Sequence, residues 1–151
     1  MDSFARVFIR ASLVWLVLGI TLGLAIAVHP AWVVYRPAHA HMSLLGFVVM
    51  LIFGIGYQML PRMFGHPIYS RKLALAHVWL ANGGLAVLVA GFFLAPHVGV
   101  RSVPVTAAGG GIWAAGAYGF VYNLWRTFGR AERRRRLAAS QPPSRELPTA
   151  E

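Results

Sequence analysis

Cysteine is absent from this 151-residue chain, and acidic side chains nearly so: four Asp and Glu stand against fourteen Lys and Arg. The first absence removes disulfides, thiolate metal sites and thiol nucleophiles. The second matters because all four acids (Asp2, Glu132, Glu146 and Glu151) lie towards the termini. No carboxylate is left in the apolar body to ligate a metal or carry protons. Charge of either sign is scarce, at 12% where a soluble domain carries about a quarter, while 58% of residues are hydrophobic. These proportions describe a membrane protein. A net charge of +10 would suit a nucleic-acid binder. The basic residues, however, sit at the ends of apolar runs and in the tail, not on one face or stripe, so nucleic acid is not an expected partner.

Four stretches, about 7–28, 39–60, 73–94 and 105–125, are apolar over a length that spans roughly 30 Å of hydrocarbon as a helix. His29-Pro30, Pro61, Pro67 and Pro96 punctuate the short links between them. Short links favour antiparallel neighbours. The expected fold is therefore all-α: an integral membrane four-helix up-down bundle over residues 1–128, embedded in a lipid bilayer, followed by a basic, disordered tail at 129–151. Arg6, Arg10, Arg62, Arg71, Lys72, Arg126, Arg130, Arg133 to Arg136 and Arg145 fall on one side, and only Arg36 and Arg101 on the other. Twelve against two places both termini in the cytoplasm, in the inner membrane of a bacterium.

The first stretch ends in Ala25-Ile26-Ala27, which imitates a signal-peptide cleavage site, but its apolar core is longer than the usual 7–15 residues. It reads as a retained helix, with Gly19 and Gly23 spaced for close helix approach. On the fourth stretch Gly111, Ala115 and Gly119 line one face, expected to pack within the bundle. A subunit interface or a groove for a flat cofactor are the alternatives. The arginine-rich run after Trp125 attracts anionic lipid or simply fixes topology, the latter being the simpler reading.

The centre of the chain is Arg36-Pro37-Ala38-His39-Ala40-His41-Met42-Ser43-Leu44-Leu45-Gly46-Phe47. An imidazole in a bilayer needs a partner or a job, so intramembrane ionisable residues are functional candidates. The charge count puts His29, His39, His41 and His97 in an outer layer and His66 and His77 near the cytoplasmic side. His77 reads as a hydrogen-bonded imidazole close to that interface. At 100° per residue His39 shares a face with Ser43, Gly46, Met50 and Tyr57, whereas His41 shares one with Leu45, Val48 and Ile52. Gly46 is expected to leave room for a planar macrocycle beside His39. The two cannot both ligate one iron from the same helix. A tetrahedral zinc site wants four Cys, His or carboxylate ligands, and here there is no cysteine and the acids lie towards the termini. Copper could draw on the four outer histidines. Haem asks only for one or two axial histidines and an apolar slot. Haem, copper and merely hydrogen-bonded histidines all remain open on the residues alone.

The run Arg36-Pro37-Ala38-His39, followed by Phe53-Gly54, Tyr57 and Pro61, resembles the second helix of the catalytic subunit I of the haem-copper oxidases and nitric oxide reductases. His39-Ala40-His41-Met42 to Gly46-Phe47 also looks like the His-x-His segment of the NnrS family of haem- and copper-containing membrane proteins. The resemblance implies a low-spin haem ligand near the outer surface. Counting from Arg-Pro-x-His favours His39 for that role, and matching His-x-x-Leu-Leu favours His41. It also implies limits. The family subunit has about twelve helices in three four-helix arcs, and this chain has the length of one arc. It lacks the further outer histidines and intramembrane carboxylates needed to reduce oxygen or nitric oxide, so that catalysis is not expected.

The resulting expectation is a membrane protein that binds haem b through His39 or His41, with His29 or His97 as second ligand and Arg36 pairing a propionate. It would serve electron transfer or diatomic-gas binding, possess a respiratory or denitrification redox partner, and form a homo-oligomer that brings second-helix histidines of neighbouring chains together. The rivals are a cofactor-free assembly protein and a copper-handling protein.

Overall fold

The computed structural model describes residues 2–140. Every regular element among them is helical. Helix α1 (Ser3–Val28) leads through a 3-10 stretch, Pro30–Tyr35, into a second long helix. That helix is built of α2 (Arg36–His41), a π-helical stretch (Met42–Val49) and α3 (Met50–Met63). A turn leads to α4 (Arg71–Val98), a 3-10 stretch (Gly99–Ser102) and α5 (Val103–Ala139).

Three helical stretches are long and apolar enough to cross a membrane: Ser3–Val28, Pro30–Met63 and Arg71–Ala139. The last is α4 and α5 taken together through Gly99–Ser102. Gly99 turns the chain with φ of 58°, a value that only glycine adopts cheaply. The two helices then run antiparallel, because Gly84 meets Trp113, Leu88 meets Gly109 and Gly91 meets Thr106. Helix α1 pairs with the second helix in the same sense: Gly23 meets His39, Gly19 meets Ser43, and Ile9 meets Gly54.

Small residues set these approaches, but not all of those expected. Gly109 lies against the backbone of Leu88, and Gly116 against the side chains of His77 and Leu80. These are the residues of α5 that let α4 come close. Gly111, by contrast, has open space where a Cβ would stand, and Ala115 is exposed. The expected Gly111–Ala115–Gly119 packing face is therefore corrected to Gly109 and Gly116. Small-residue spacing proposes a face, and only the helix's rotation about its axis selects one.

The ends of the helices also depart from the sequence reading. Pro61 and Pro96 sit in last turns, where each removes one i→i−4 bond near a helix end and does not break the helix in its middle, and α3 and α4 run on to Met63 and Val98. Helix α5 does not stop at Trp125. It continues through Arg133 to Arg136, because Ala, Arg and Leu are good helix formers. The expected disordered tail is helical as far as Ala139. Its remainder, residues 141–151 with Arg145, Glu146 and Glu151, lies outside the described residues.

The turn between α3 and α4 is fastened by α5. Asn123 Oδ1 accepts from the Ser70 backbone N–H at 3.0 Å while its Nδ2 donates to the Ser70 carbonyl at 2.9 Å. Thr127 Oγ1 accepts from the Tyr69 N–H at 2.9 Å, and Ser70 Oγ caps α4 by accepting from Leu73 N–H. Asn123 and Thr127 have no exposed surface, so these bonds form away from water.

Candidate functional site

The π-helical stretch begins directly after His41, and this placement fixes how both candidate ligands face. The buried residues of the second helix step by four through Ala38, Met42, Gly46 and Met50, then resume α spacing at Phe53, Tyr57 and Pro61. Such wider turns arise from i→i+5 bonding and recur at functional sites.

His39 and His41 part onto different neighbours. The His39 Nδ1–H donates to the Gly19 carbonyl of α1 at 2.8 Å. Its ring fills the notch over Gly23, where a Cβ would stand 2.6 Å from Cε1 and 3.4 Å from Nε2. The His41 Nδ1–H donates to the Pro37 carbonyl at 2.8 Å, and its ring lies 4.7 Å from that of Phe92 on α4. A carbonyl can only accept, so in both rings the proton sits on Nδ1 and the lone pair on Nε2. Metal-ligating histidines commonly show this tautomer, with the other ring N–H held by a backbone carbonyl. His41 thus meets an aromatic ring instead of the aliphatic surroundings expected. It also heads an exposed apolar stripe formed by Leu44, Val48, Ile52, Ile55 and Met59.

Gly46 does not provide room for a macrocycle beside His39. A Cβ there would stand 2.7 Å from Cβ of Trp15 and 3.0 Å from Leu85. The glycine serves the seat of Trp15, whose Nε1–H donates to Asn82 Oδ1 across to α4 at 3.4 Å. Arg36 is exposed and makes no ion pair among the described residues. His29 and His97 are exposed at the same end but belong to another cluster. His29 stacks on Trp32 at 5.5 Å, Trp32 meets Tyr35 edge-on, and the Tyr35 hydroxyl lies 3.3 Å from His97 Nε2. Among the described residues no three His, Asp or Glu side chains gather as metal ligands. The outer histidines therefore do not converge into the multi-ligand copper site considered from sequence, whereas a one- or two-imidazole axial site asks for no such convergence.

One residue gains surroundings that the sequence did not supply. His77 is a hydrogen-bonded imidazole, as expected, and is 1% exposed inside a cage of Phe8, Phe53, Tyr57 and Phe120 drawn from α1, α3 and α5. Its Nδ1 is hydrogen-bonded to the Tyr57 hydroxyl at 3.1 Å. Its Nε2 and the indole N–H of Trp113 are buried without partners, and both rings border Phe53. The only signal available in the sequence was the seven-residue offset of His77 from Gly84, which places both on the α5-facing side of α4.

No protein-family model matches the chain. It is 26% identical over 129 residues to "Cytochrome c oxidase subunit 1" of Rhodobacter capsulatus, a match covering 69% of this chain and 24% of that protein. It is 28% identical over 131 residues to "Cbb3-type cytochrome c oxidase subunit CcoN1" of Stutzerimonas stutzeri, covering 68% of this chain and 27% of that one. The chain spans about a quarter of the length of these curated relatives. It is an all-helical protein with membrane-length apolar helices and a distant likeness to subunit I of haem-copper oxidases.

Proposed function

We propose that the protein is a multi-pass membrane haem protein, a single four-helix unit of the subunit I type, in which His41 is the axial ligand and His39 a positioning residue. The observation that carries this reading is the pair of Nδ1–carbonyl bonds, which leaves Nε2 of each ring as the ligating atom. His39 Nε2 is hemmed by the α1 backbone at Gly23, and His41 stands at the head of the outward-facing apolar stripe. The residues present fit haem on these grounds. Nothing here rests on Gly46 as a cofactor groove.

In this reading α1, the second helix, α4 and α5 each cross once, with both termini in the cytoplasm of a bacterial inner membrane. The twelve-to-two distribution of basic residues supports that orientation. His41 presents its lone pair, the Pro37 carbonyl holds the ring's tautomer, and Phe92 holds its plane. Arg36, five residues before His41 and exposed at the same end of the helix, is available to a propionate carboxylate. Leu44, Val48 and Ile52 keep water from the face below. Haem held by the His41 imidazole would supply one-electron exchange or diatomic-gas binding. A homo-oligomer supplies the second imidazole by apposing two His41 faces, and the likeness to oxidase subunits supports a respiratory or denitrification redox partner.

The test is the absorption spectrum of the purified protein and of its single variants. A Soret band that His41→Ala abolishes and His39→Ala retains supports the reading. Loss in His39→Ala alone moves the ligand to His39. A colourless, metal-free protein leaves the cofactor-free assembly reading standing, and copper without haem leaves the copper-handling one. Full haem occupancy in a strict monomer removes the shared-site version.

A further inference from the structure

We propose that the cleft between the α3–α4 turn and the basic end of α5 binds the phosphate of an anionic glycerophospholipid. The cleft, of about 440 Å³, is lined by His66 and Pro67 on the turn and by Arg130, Arg133, Arg134 and Leu137 on α5. Three guanidiniums and an imidazole thus face one concavity.

The local carboxylates do not neutralise it. Asp2 and Glu132 are the acids among the described residues, and each is engaged elsewhere: Asp2 with Arg71 at 3.4 Å and Glu132 with Arg136 at 2.9 Å. Arg130 is held in place, its guanidinium 4.3 Å above the Tyr69 ring. Tyr69 is itself tied to α5 through Thr127. The His66 Nδ1–H donates to the Pro67 carbonyl at 2.8 Å, so Nε2 of the neutral ring is an acceptor and the contacts to phosphate oxygens fall to the guanidiniums. Planar guanidiniums bind phosphate oxygens in bidentate fashion, so the cleft offers more than diffuse positive charge.

Two observations favour a lipid over a soluble phosphate. First, Val103 to Trp125 rises about 34 Å at 1.5 Å per residue, close to the thickness of the hydrocarbon core. Trp125 and Tyr122 are exposed there, as interfacial aromatics are. Arg130 and Arg134 follow within about three turns, at headgroup level. Second, the cleft's arginines belong to the basic run that directly follows the apolar span of α5, the position at which such clusters meet anionic headgroups. The proposal requires a membrane-spanning α5 but not haem, so a colourless protein leaves it intact.

The experiment is native mass spectrometry of the full chain in detergent, titrated with phosphatidylglycerol, phosphatidylcholine or inorganic phosphate. Wild type is expected to retain phosphatidylglycerol at least tenfold more tightly than phosphatidylcholine. The triple variant Arg130→Gln, Arg133→Gln, Arg134→Gln loses that preference. A control of equal charge, Arg6→Gln, Arg10→Gln, Arg135→Gln, keeps it. The triple Arg→Lys variant of the cleft binds several-fold more weakly than wild type at unchanged charge. Equal loss in cleft and control variants, or a Lys variant equal to wild type, overturns the site in favour of diffuse attraction. Retention of inorganic phosphate that displaces the lipid overturns the lipid assignment. Should the Gln triple fail to fold, the Lys triple decides.

Discussion

The Tyr57 hydroxyl and Nδ1 of His77 lie 3.1 Å apart in a contact shut away from solvent, a polar link inside an aromatic cage drawn from α1, α3, α4 and α5. Because Nε2 of the same ring has no partner among the described residues, the imidazole depends on this bond. Tyr57→Phe leaves both ring nitrogens unsatisfied and is expected to cost about 1 kcal/mol. That is the low end of the range for soluble interiors, since polar groups of a membrane protein find partners in the unfolded state too. Adding His77→Leu removes the stranded polar group, so the double variant should melt above the Tyr57→Phe single in detergent. A double variant that melts lower would show that the ring's packing outweighs its polarity.

Gly109→Ala and Gly111→Ala are two positions apart on α5 and are expected to differ sharply. The first drives a methyl group into the backbone of Leu88, and the second places one in open space. Thermal melts should show Gly109→Ala strongly destabilised by separation of α4 from α5. Gly111→Ala should be neutral or stabilised by up to about 1 kcal/mol through helix propensity.

Asn123→Leu removes both hydrogen bonds to the Ser70 backbone and leaves the part-buried Ser70 N–H without its partner, while the Ser70 carbonyl keeps its bond from the Ala74 N–H. The expected cost is about 2 kcal/mol. Because the loss falls on the α3–α4 turn, limited proteolysis should cut near residues 64–70 earlier than in the wild type, with the cleavage pattern elsewhere unchanged.

Gly23→Ala places a Cβ within 2.6 Å of His39 Cε1 and forces that ring off its seat on α1. Helix α1 should loosen and the melting temperature fall. With His41 as ligand, the Soret position should stay within experimental error. A shift as large as that of a ligand substitution would assign the axial role to His39.

The long apolar runs at 7–28 and 73–94 made α1 and α4 legible, because a helix long enough for a bilayer has few other interpretations. The separation of His39 from His41 onto different neighbours was legible too, since two residues always turn a helix past a half circle. What could not be read was rotation and partnership. Gly111, Ala115 and Gly119 have the spacing of a packing face, yet of these only Gly119 meets α4, at Leu73, and Gly109 and Gly116 make the close approaches, because the face is chosen by contacts with Leu88 and His77 on another helix. Gly46 looked like vacant space and proved to be the seat of Trp15, thirty-one residues earlier. The burial of His77 arises from Phe8, Phe53 and Phe120, none of which is near it in sequence. The arginine run read as solvated tail, but its helix propensity carried α5 through it.

The π-helical stretch Met42–Val49 has a consequence for what kinds of change the protein tolerates. It separates the second helix into two segments with independent angular settings, the histidines above and Tyr57 below. Substitutions within it preserve both settings. Deletion of a single residue that left the wide turn in place would turn His39 and His41 together by about 100° relative to Tyr57 and take His41 off the outward stripe, whereas a deletion that restored ordinary winding would keep both settings. Which imidazole faces outward is therefore written in the number of residues between Pro37 and Tyr57 as much as in their identity.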